Sequence, residues 1–95
     1  MENKKPLRVV ALKYELNAAA PKITGQGEGF VAEAILAKAK ELGIPTKTEP
    51  ELVEFLMQLN LNDLVPPKLY AAVAEVLAWA YEVDGKSEVP PVQQS

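Results

Sequence analysis

Neither cysteine nor histidine occurs anywhere in this 95-residue chain. The first absence excludes disulfides and thiolate metal sites. The second removes the commonest general base and the commonest transition-metal ligand. Basic charge is also in short supply. Ten lysines and arginines stand against 13 acidic residues, a net charge of -3, and no basic patch is evident. That composition argues against a nucleic-acid binder. Long apolar runs are missing too. Spanning a bilayer takes about 18 consecutive apolar residues, and the most apolar stretch, 69–81, is shorter and interrupted by Glu75. The opening segment, Met1 to Pro6, holds Lys4 and Lys5 but no apolar core behind them. It does not read as a signal peptide. The expectation is a cytoplasmic protein that needs no metal and no cofactor.

What is present is enough for one domain. Apolar residues make up 48% of the chain, and a chain of this length buries roughly two-thirds of its unfolded surface. Residues 7–15 are short and rich in valine and leucine, which predicts a strand. A turn at 17–21 leads to a second short strand over 21–25, with Pro21 at its start or on an edge. The run Gly25-Gln26-Gly27-Glu28-Gly29 should turn the chain into a helix over about 28–42. Val31, Ala34, Ile35, Lys38, Ala39 and Leu42 recur there at three- and four-residue steps, and Gly43 suits a left-handed cap. A third extended piece covers 44–48. Pro50 opens a helix reaching about Asn60. The last helix, over roughly 66–83, is so apolar that it must be a central packing element. Residues 1–6 read as a flexible N-terminal segment, 7–84 as the domain, and 85–95 as a disordered tail. The expected fold is α+β (α/β): a small mixed sheet of three to four strands packed by about three helices.

Four fragments carry a resemblance. They are Val-Val-Ala-Leu-Lys-Tyr at 9–14, Ala-Pro-Lys-Ile at 20–23, Ala-Lys-Glu-Leu-Gly-Ile-Pro at 39–45, and Pro-Pro-Lys-Leu-Tyr-Ala-Ala-Val-Ala-Glu-Val-Leu-Ala-Trp at 66–79. In this order and at these spacings, over about residues 8–82, they resemble the C-terminal cytoplasmic domain of FlhB. That family is the export switch of the flagellar type III secretion apparatus and its injectisome relatives. The resemblance implies a four-stranded sheet surrounded by helices. It also implies self-cleavage in an Asn-Pro-Thr-His loop just before the first strand here. Lys4, Lys5, Pro6 and Leu7 stand at those positions, and no Asn-Pro bond occurs anywhere in the chain. The chain therefore resembles a free-standing copy of the already-cleaved piece, without membrane anchor and without the strand that precedes the loop. An exposed, unpaired sheet edge is the corollary, and such an edge can dock a partner.

The family also binds export substrates through a small apolar patch. The matching positions are Ala20 and Pro21 on a loop and Ala74 and Leu77 on the last helix. The plainer reading makes all four ordinary core or turn residues. Other motifs reduce to structure. The glycine run is not a phosphate-binding turn, because its third glycine comes a residue early and Glu28 sits where phosphate would. Glu28, Glu33, Glu41, Glu49, Glu51 and Glu54 fit helix first turns and solvated faces better than acid–base pairs. Trp79 fits a packing role better than a contact site. The mildly basic amino end, Lys4, Lys5, Arg8 and Lys13, is too sparse for membrane attachment.

No nucleophile–base pair is visible. The sequence thus reads as a non-enzymatic, FlhB-like interaction module that stands in for the cleaved C-terminal fragment of the export switch. Its expected partners are export-gate proteins (the N-terminal part of full-length FlhB and an FlhA-like component) and export substrates or the hook-length ruler. No nucleic acid is expected, and membrane contact only through the apparatus, at its cytoplasmic face. The competing reading is a cytosolic binder or decoy of export substrates, or another small α/β interaction module outside the apparatus.

Overall fold

The computed structural model describes residues 6–15, 17–84 and 91–94. Strand β1 (Arg8–Lys13) leads to β2 (Lys22–Glu28), helix α1 (Phe30–Leu42), the two-residue strand β3 (Lys47–Thr48) and helix α2 (Pro50–Leu56). A 3-10 turn, Pro67–Leu69, opens helix α3 (Tyr70–Asp84), and strand β4 (Pro91–Gln94) follows. The sheet order is β2-β1-β4-β3. β1 is antiparallel to both its neighbours, and β3 runs parallel to β4. The mixed sheet and three helices agree with the fold read from the sequence.

Successive strand residues point to opposite faces of a sheet, and β1 is apolar on both. Val10 and Leu12 join Ile23, Leu52, Val53, Leu56, Val65, Val73 and Val76 in one buried cluster. α2 and α3 therefore cover one face. α1 packs on β1 and β2, where Val9, Ala32 and Ala39 are buried. A strand enclosed on both sides reads as continuous valine and leucine rather than as an alternation, which is why 9–12 is so apolar.

The elements depart from the sequence expectation in three places. The glycine run is not a turn: Gly25 to Glu28 lies inside β2, paired with Ala11 to Arg8. β2 slips register by one residue between Ala11 and Leu12, leaving Thr24 as the extra residue. Its hydroxyl donates to Ala11 O at 3.3 Å. Gly27 is needed for close approach, since a Cβ there would lie 2.9 Å from Val31 Cβ and 3.2 Å from the Ala32 nitrogen. The turn itself falls on Gly29 (φ 65), whose N–H donates to Leu7 O at 2.8 Å. α2 stops at Leu56 rather than at Asn60.

The third departure is at the carboxyl end. The polar, proline-bearing composition of 85–95 predicts a disordered tail, yet Pro91–Gln94 is a strand of the sheet. The unpaired edge expected beside β1 is accordingly not there. β4 occupies it, with Arg8, Val9, Val10 and Ala11 opposite Gln94, Gln93, Val92 and Pro91. Buried backbone donors and acceptors on β1 need partners, and any extended segment can supply them whatever its side chains. Residues 1–5, 16, 85–90 and 95 lie outside the described residues. Most of the flexible segment read at 1–6, including Lys4 and Lys5, and most of the tail therefore falls there too.

Arg8 ties three elements together at the surface. Its Nε donates to Glu28 Oε2 at 3.0 Å and its Nη1 to Glu54 Oε2 at 3.2 Å. The hydrogen bond to Glu28, foremost, holds the guanidinium pKa above its ordinary value. Trp79 is half-buried on α3, and the Lys47 ammonium lies 5.6 Å from its ring centroid. That contact pins β3 against α3, in keeping with a packing role.

Candidate functional site

The described part of the loop from β1 to β2 holds a backbone turn. Ala18 N–H donates to Glu15 O at 3.0 Å. Asn17 takes a left-handed conformation, φ 72, which asparagine tolerates better than most residues. Beyond the loop the chain is clamped to the segment before α3. Val65 N–H donates to Pro21 O at 2.8 Å, Ile23 N–H to Asp63 O at 2.9 Å, and Asn62 N–H to Ile23 O at 2.8 Å. Pro21 is thereby set beside the first turns of α3.

On that helix Tyr70, Ala74 and Leu77 follow one another at four- and three-residue steps, so they share a face. The loop and this face enclose an open cavity of about 250 Å³, lined by Tyr14, Ala19, Pro21, Tyr70, Ala74 and Leu77. Leu77 is half-buried and packs on the core cluster, Pro21 is half-buried, and Ala74 is exposed. Tyr14 and Tyr70 line the cavity while remaining 43% and 41% exposed. The lining side chains include no carboxylate, amine or thiol; the tyrosine hydroxyls are their polar groups. Such a cavity suits an aliphatic or small aromatic side chain with hydrogen bonding at its edge.

Three of the four patch residues singled out in the sequence meet here: Pro21, Ala74 and Leu77. Ala20 does not. It is only 4% exposed and turns toward a neighbouring, more polar cavity with Lys13, Thr24 and Leu64 on its wall. Ala20 and Pro21 are neighbours in the chain, yet the bend at 19–20 sends their side chains to different cavities. The sequence reading missed Tyr14, Ala19 and Tyr70. Tyr70 was findable, since it lies four residues before Ala74. Ala19 lies in the bend before Pro21, where no helix or strand period marks it.

Of the four positions aligned with the cleavage loop, Pro6 is exposed and Leu7 half-buried; Lys4 and Lys5 lie outside the described residues. Four of the six carboxylates singled out in the sequence are ion-pair partners at the surface. Glu28 and Glu54 share Arg8, Glu41 lies 3.7 Å from Lys38, and Glu49 lies 3.3 Å from Lys47. Among the described residues no cluster of three acidic side chains could hold a metal ion. No described helix is long and apolar enough to cross a membrane.

Comparison with known proteins places this geometry. The model of the FlhB HrpN YscU SpaS family matches residues 8–80. The chain is 37% identical over 86 residues to the uncharacterized protein YlqH of Bacillus subtilis, covering 88% of this chain and 92% of that one. It is 41% identical over 76 residues to the flagellar biosynthetic protein FlhB of Escherichia coli, covering 78% of this chain but 20% of the relative. It therefore spans about a fifth of the length of that flagellar relative. Among solved structures, the PscU C-terminal domain is similar at a TM-score of 0.69 and 28% identity, over 74% of this chain and 91% of that one. A mutated EscU C-terminal domain gives a TM-score of 0.75 at 20% identity, over 81% of this chain and 95% of that one. The chain belongs to the FlhB HrpN YscU SpaS family.

Proposed function

We propose that this member of the family is a non-enzymatic, cytoplasmic component of the flagellar type III export apparatus, working through protein–protein contacts. It stands in for the cleaved C-terminal fragment of the export switch. The observation that carries the reading is the cavity between the β1–β2 loop and α3. Its lining includes Pro21, Ala74 and Leu77, three of the four positions to which the resemblance assigns export-substrate binding, and its apolar wall suits a protein side chain. The residues at 4–7 are Lys-Lys-Pro-Leu, so the attack of an asparagine side chain on its own carbonyl, with loss of the bond to proline, has no reactant. The net charge of -3 and the apolar lining of the cavity fit a partner that is protein.

The partners in this reading are the export gate, namely the N-terminal part of full-length FlhB and an FlhA-like component, and the export substrates or hook-length ruler. The test is complementation. Cells whose FlhB lacks its C-terminal half are supplied with this chain, and secretion of hook-type and filament-type subunits is measured. Restored secretion is the expected result. Capture of export substrates from the cytosol without any restored secretion would instead make the protein a decoy outside the apparatus.

A further inference from the structure

Helix α1 carries its larger apolar residues on the outside. Of the periodic set read from the sequence, Ala39 alone is buried, while Val31 and Leu42 are 56% and 60% exposed. The sheet receives Ala32 and Ala39, which lie two turns apart on one side of the helix. On the opposite side Phe30, Ala34, Ala37 and Glu41 follow at four-, three- and four-residue steps, the spacing of a coiled-coil seam. Phe30 is 88% exposed, more than any other large apolar side chain described. Small side chains at Ala34 and Ala37 let a second helix come close, and Phe30 supplies an aromatic anchor. The charges beside the seam are equally particular. Glu41 pairs with Lys38 of its own helix at 3.7 Å. Glu33 and Lys40 are both exposed on one flank, and among the described residues neither has an ion-pair partner. They are opposite in sign and stand at equal distances from the middle of α1, which falls between Leu36 and Ala37.

We infer that the outward face of α1 is an interface with a second copy of this chain, formed as an antiparallel helix pair about a two-fold axis between Leu36 and Ala37. That axis brings Glu33 of each copy level with Lys40 of the other, on the same flank, so both unpaired charges find partners. It sets Phe30 and Val31 of one copy beside Leu42 of the other at each end, with the alanines between. The face is thus complementary to itself, as an isologous contact requires. α1 lies on the sheet face away from α3, so the pairing leaves the cavity at Pro21, Ala74 and Leu77 open. A helix of 13 residues is about 20 Å long. A pair of that length falls short of a standard interface, so the dimer dissociates at about 10–100 μM. The inference is separate from the proposed role in export and stands or falls on mass alone.

The test is sedimentation equilibrium of the full chain from about 5 to about 500 μM. The mass is expected to rise from that of one chain toward that of two. Phe30→Ala removes an exposed side chain, so it is expected to leave the urea midpoint unchanged and to weaken association by more than about tenfold. Glu33→Lys and Lys40→Glu each set like charges opposite one another across the pair, and each alone is expected to weaken association by about five- to tenfold. An equal mixture of these two single variants is expected to regain it, because every charge on the flank then meets its opposite. The double variant Glu33→Lys with Lys40→Glu is expected to associate like the native chain. Native protein that stays monomeric to about 500 μM overturns the inference. So does a dimer indifferent to Phe30→Ala, or a mixture of the single charge variants that associates no better than either alone.

Discussion

Leu12 on β1 and Val73 on α3 are both fully buried in the same apolar cluster. The two are far apart in the chain, and their meeting is what turns a strand near the amino end and a helix near the carboxyl end into one domain. Leu12→Ala removes a side chain from a site that surrounding strands cannot collapse around, so it is expected to lower stability by about 2–5 kcal/mol. Val73→Ala should lower it as well. Because both line one cluster, the double variant is expected to depart from additivity by about 0.5–3 kcal/mol. Urea unfolding of the four proteins measures this. Additive losses would mean that strand and helix do not share an interior.

Gly27 faces Val31 across the gap between β2 and α1. A methyl group there has no room unless the helix shifts, because the nearest atoms belong to the first turn of α1 and include backbone. Gly27→Ala is therefore expected to cost about 1–3 kcal/mol as an overpacking change. Gly25→Ala, whose added Cβ would meet only the Ala11 Cβ at 3.3 Å, should be better tolerated. Comparing the two urea midpoints tests the assignment.

Trp79 is the chain's one tryptophan, which makes its fluorescence a direct reporter of the Lys47 contact. The ammonium 5.6 Å from the ring centroid is expected to contribute about 0.5–1 kcal/mol. Lys47→Gln should shift the emission spectrum and lower stability by no more than that. An unchanged spectrum would place the lysine elsewhere in solution.

Arg8 allows a prediction about pH. Its pKa is raised in the folded protein, through the hydrogen bond to Glu28 first. A raised pKa stabilises the fold below the unfolded-state value, and that contribution is lost only as pH climbs through the folded-state value. Both lie well above the physiological range, because a guanidinium stays protonated there. The stability difference between the native protein and Arg8→Gln is therefore expected to be flat from about pH 6 to about pH 10. It should shrink as salt is added, because both partners are exposed to solvent. Thermal unfolding over that range, at low and high salt, measures both.

The parts of this fold that follow from local pattern are legible in the order of residues alone. Val9 to Leu12 reads as a strand because it is apolar on both faces. α1 ends where Gly43 supplies a left-handed residue, φ 73, and Pro50 starts α2 where a missing N–H does no harm. The parts that are not legible depend on distant partners. Gly25 to Glu28 has the composition of a turn, and only the ladder with β1 and the closeness of α1 make it a strand. Pro91 to Gln94 has the composition of a tail, and only the open side of β1 recruits it. At the cavity, the resemblance supplied Pro21, Ala74 and Leu77. Tyr14 depends on how the β1–β2 loop folds back over α3, which no local pattern encodes.

The split between Ala20 and its neighbours gives the sharpest test of the cavity. Ala74 is exposed on the wall, so Ala74→Asp puts a carboxylate where an apolar side chain would have to desolvate it. In the body of the helix this substitution costs well under about 1 kcal/mol in propensity. Ala74→Asp protein is therefore expected to fold normally and to bind an export substrate at least about tenfold more weakly. Ala20→Val makes the opposite demand. Ala20 is buried behind the loop, away from the cavity, so the added volume should lower stability by about 1–3 kcal/mol and leave binding by the folded fraction unchanged. Isothermal titration with a purified export substrate, alongside urea unfolding, separates the two. Loss of binding in Ala20→Val with retention in Ala74→Asp would move the site off α3 and into the polar cavity beside Lys13 and Thr24.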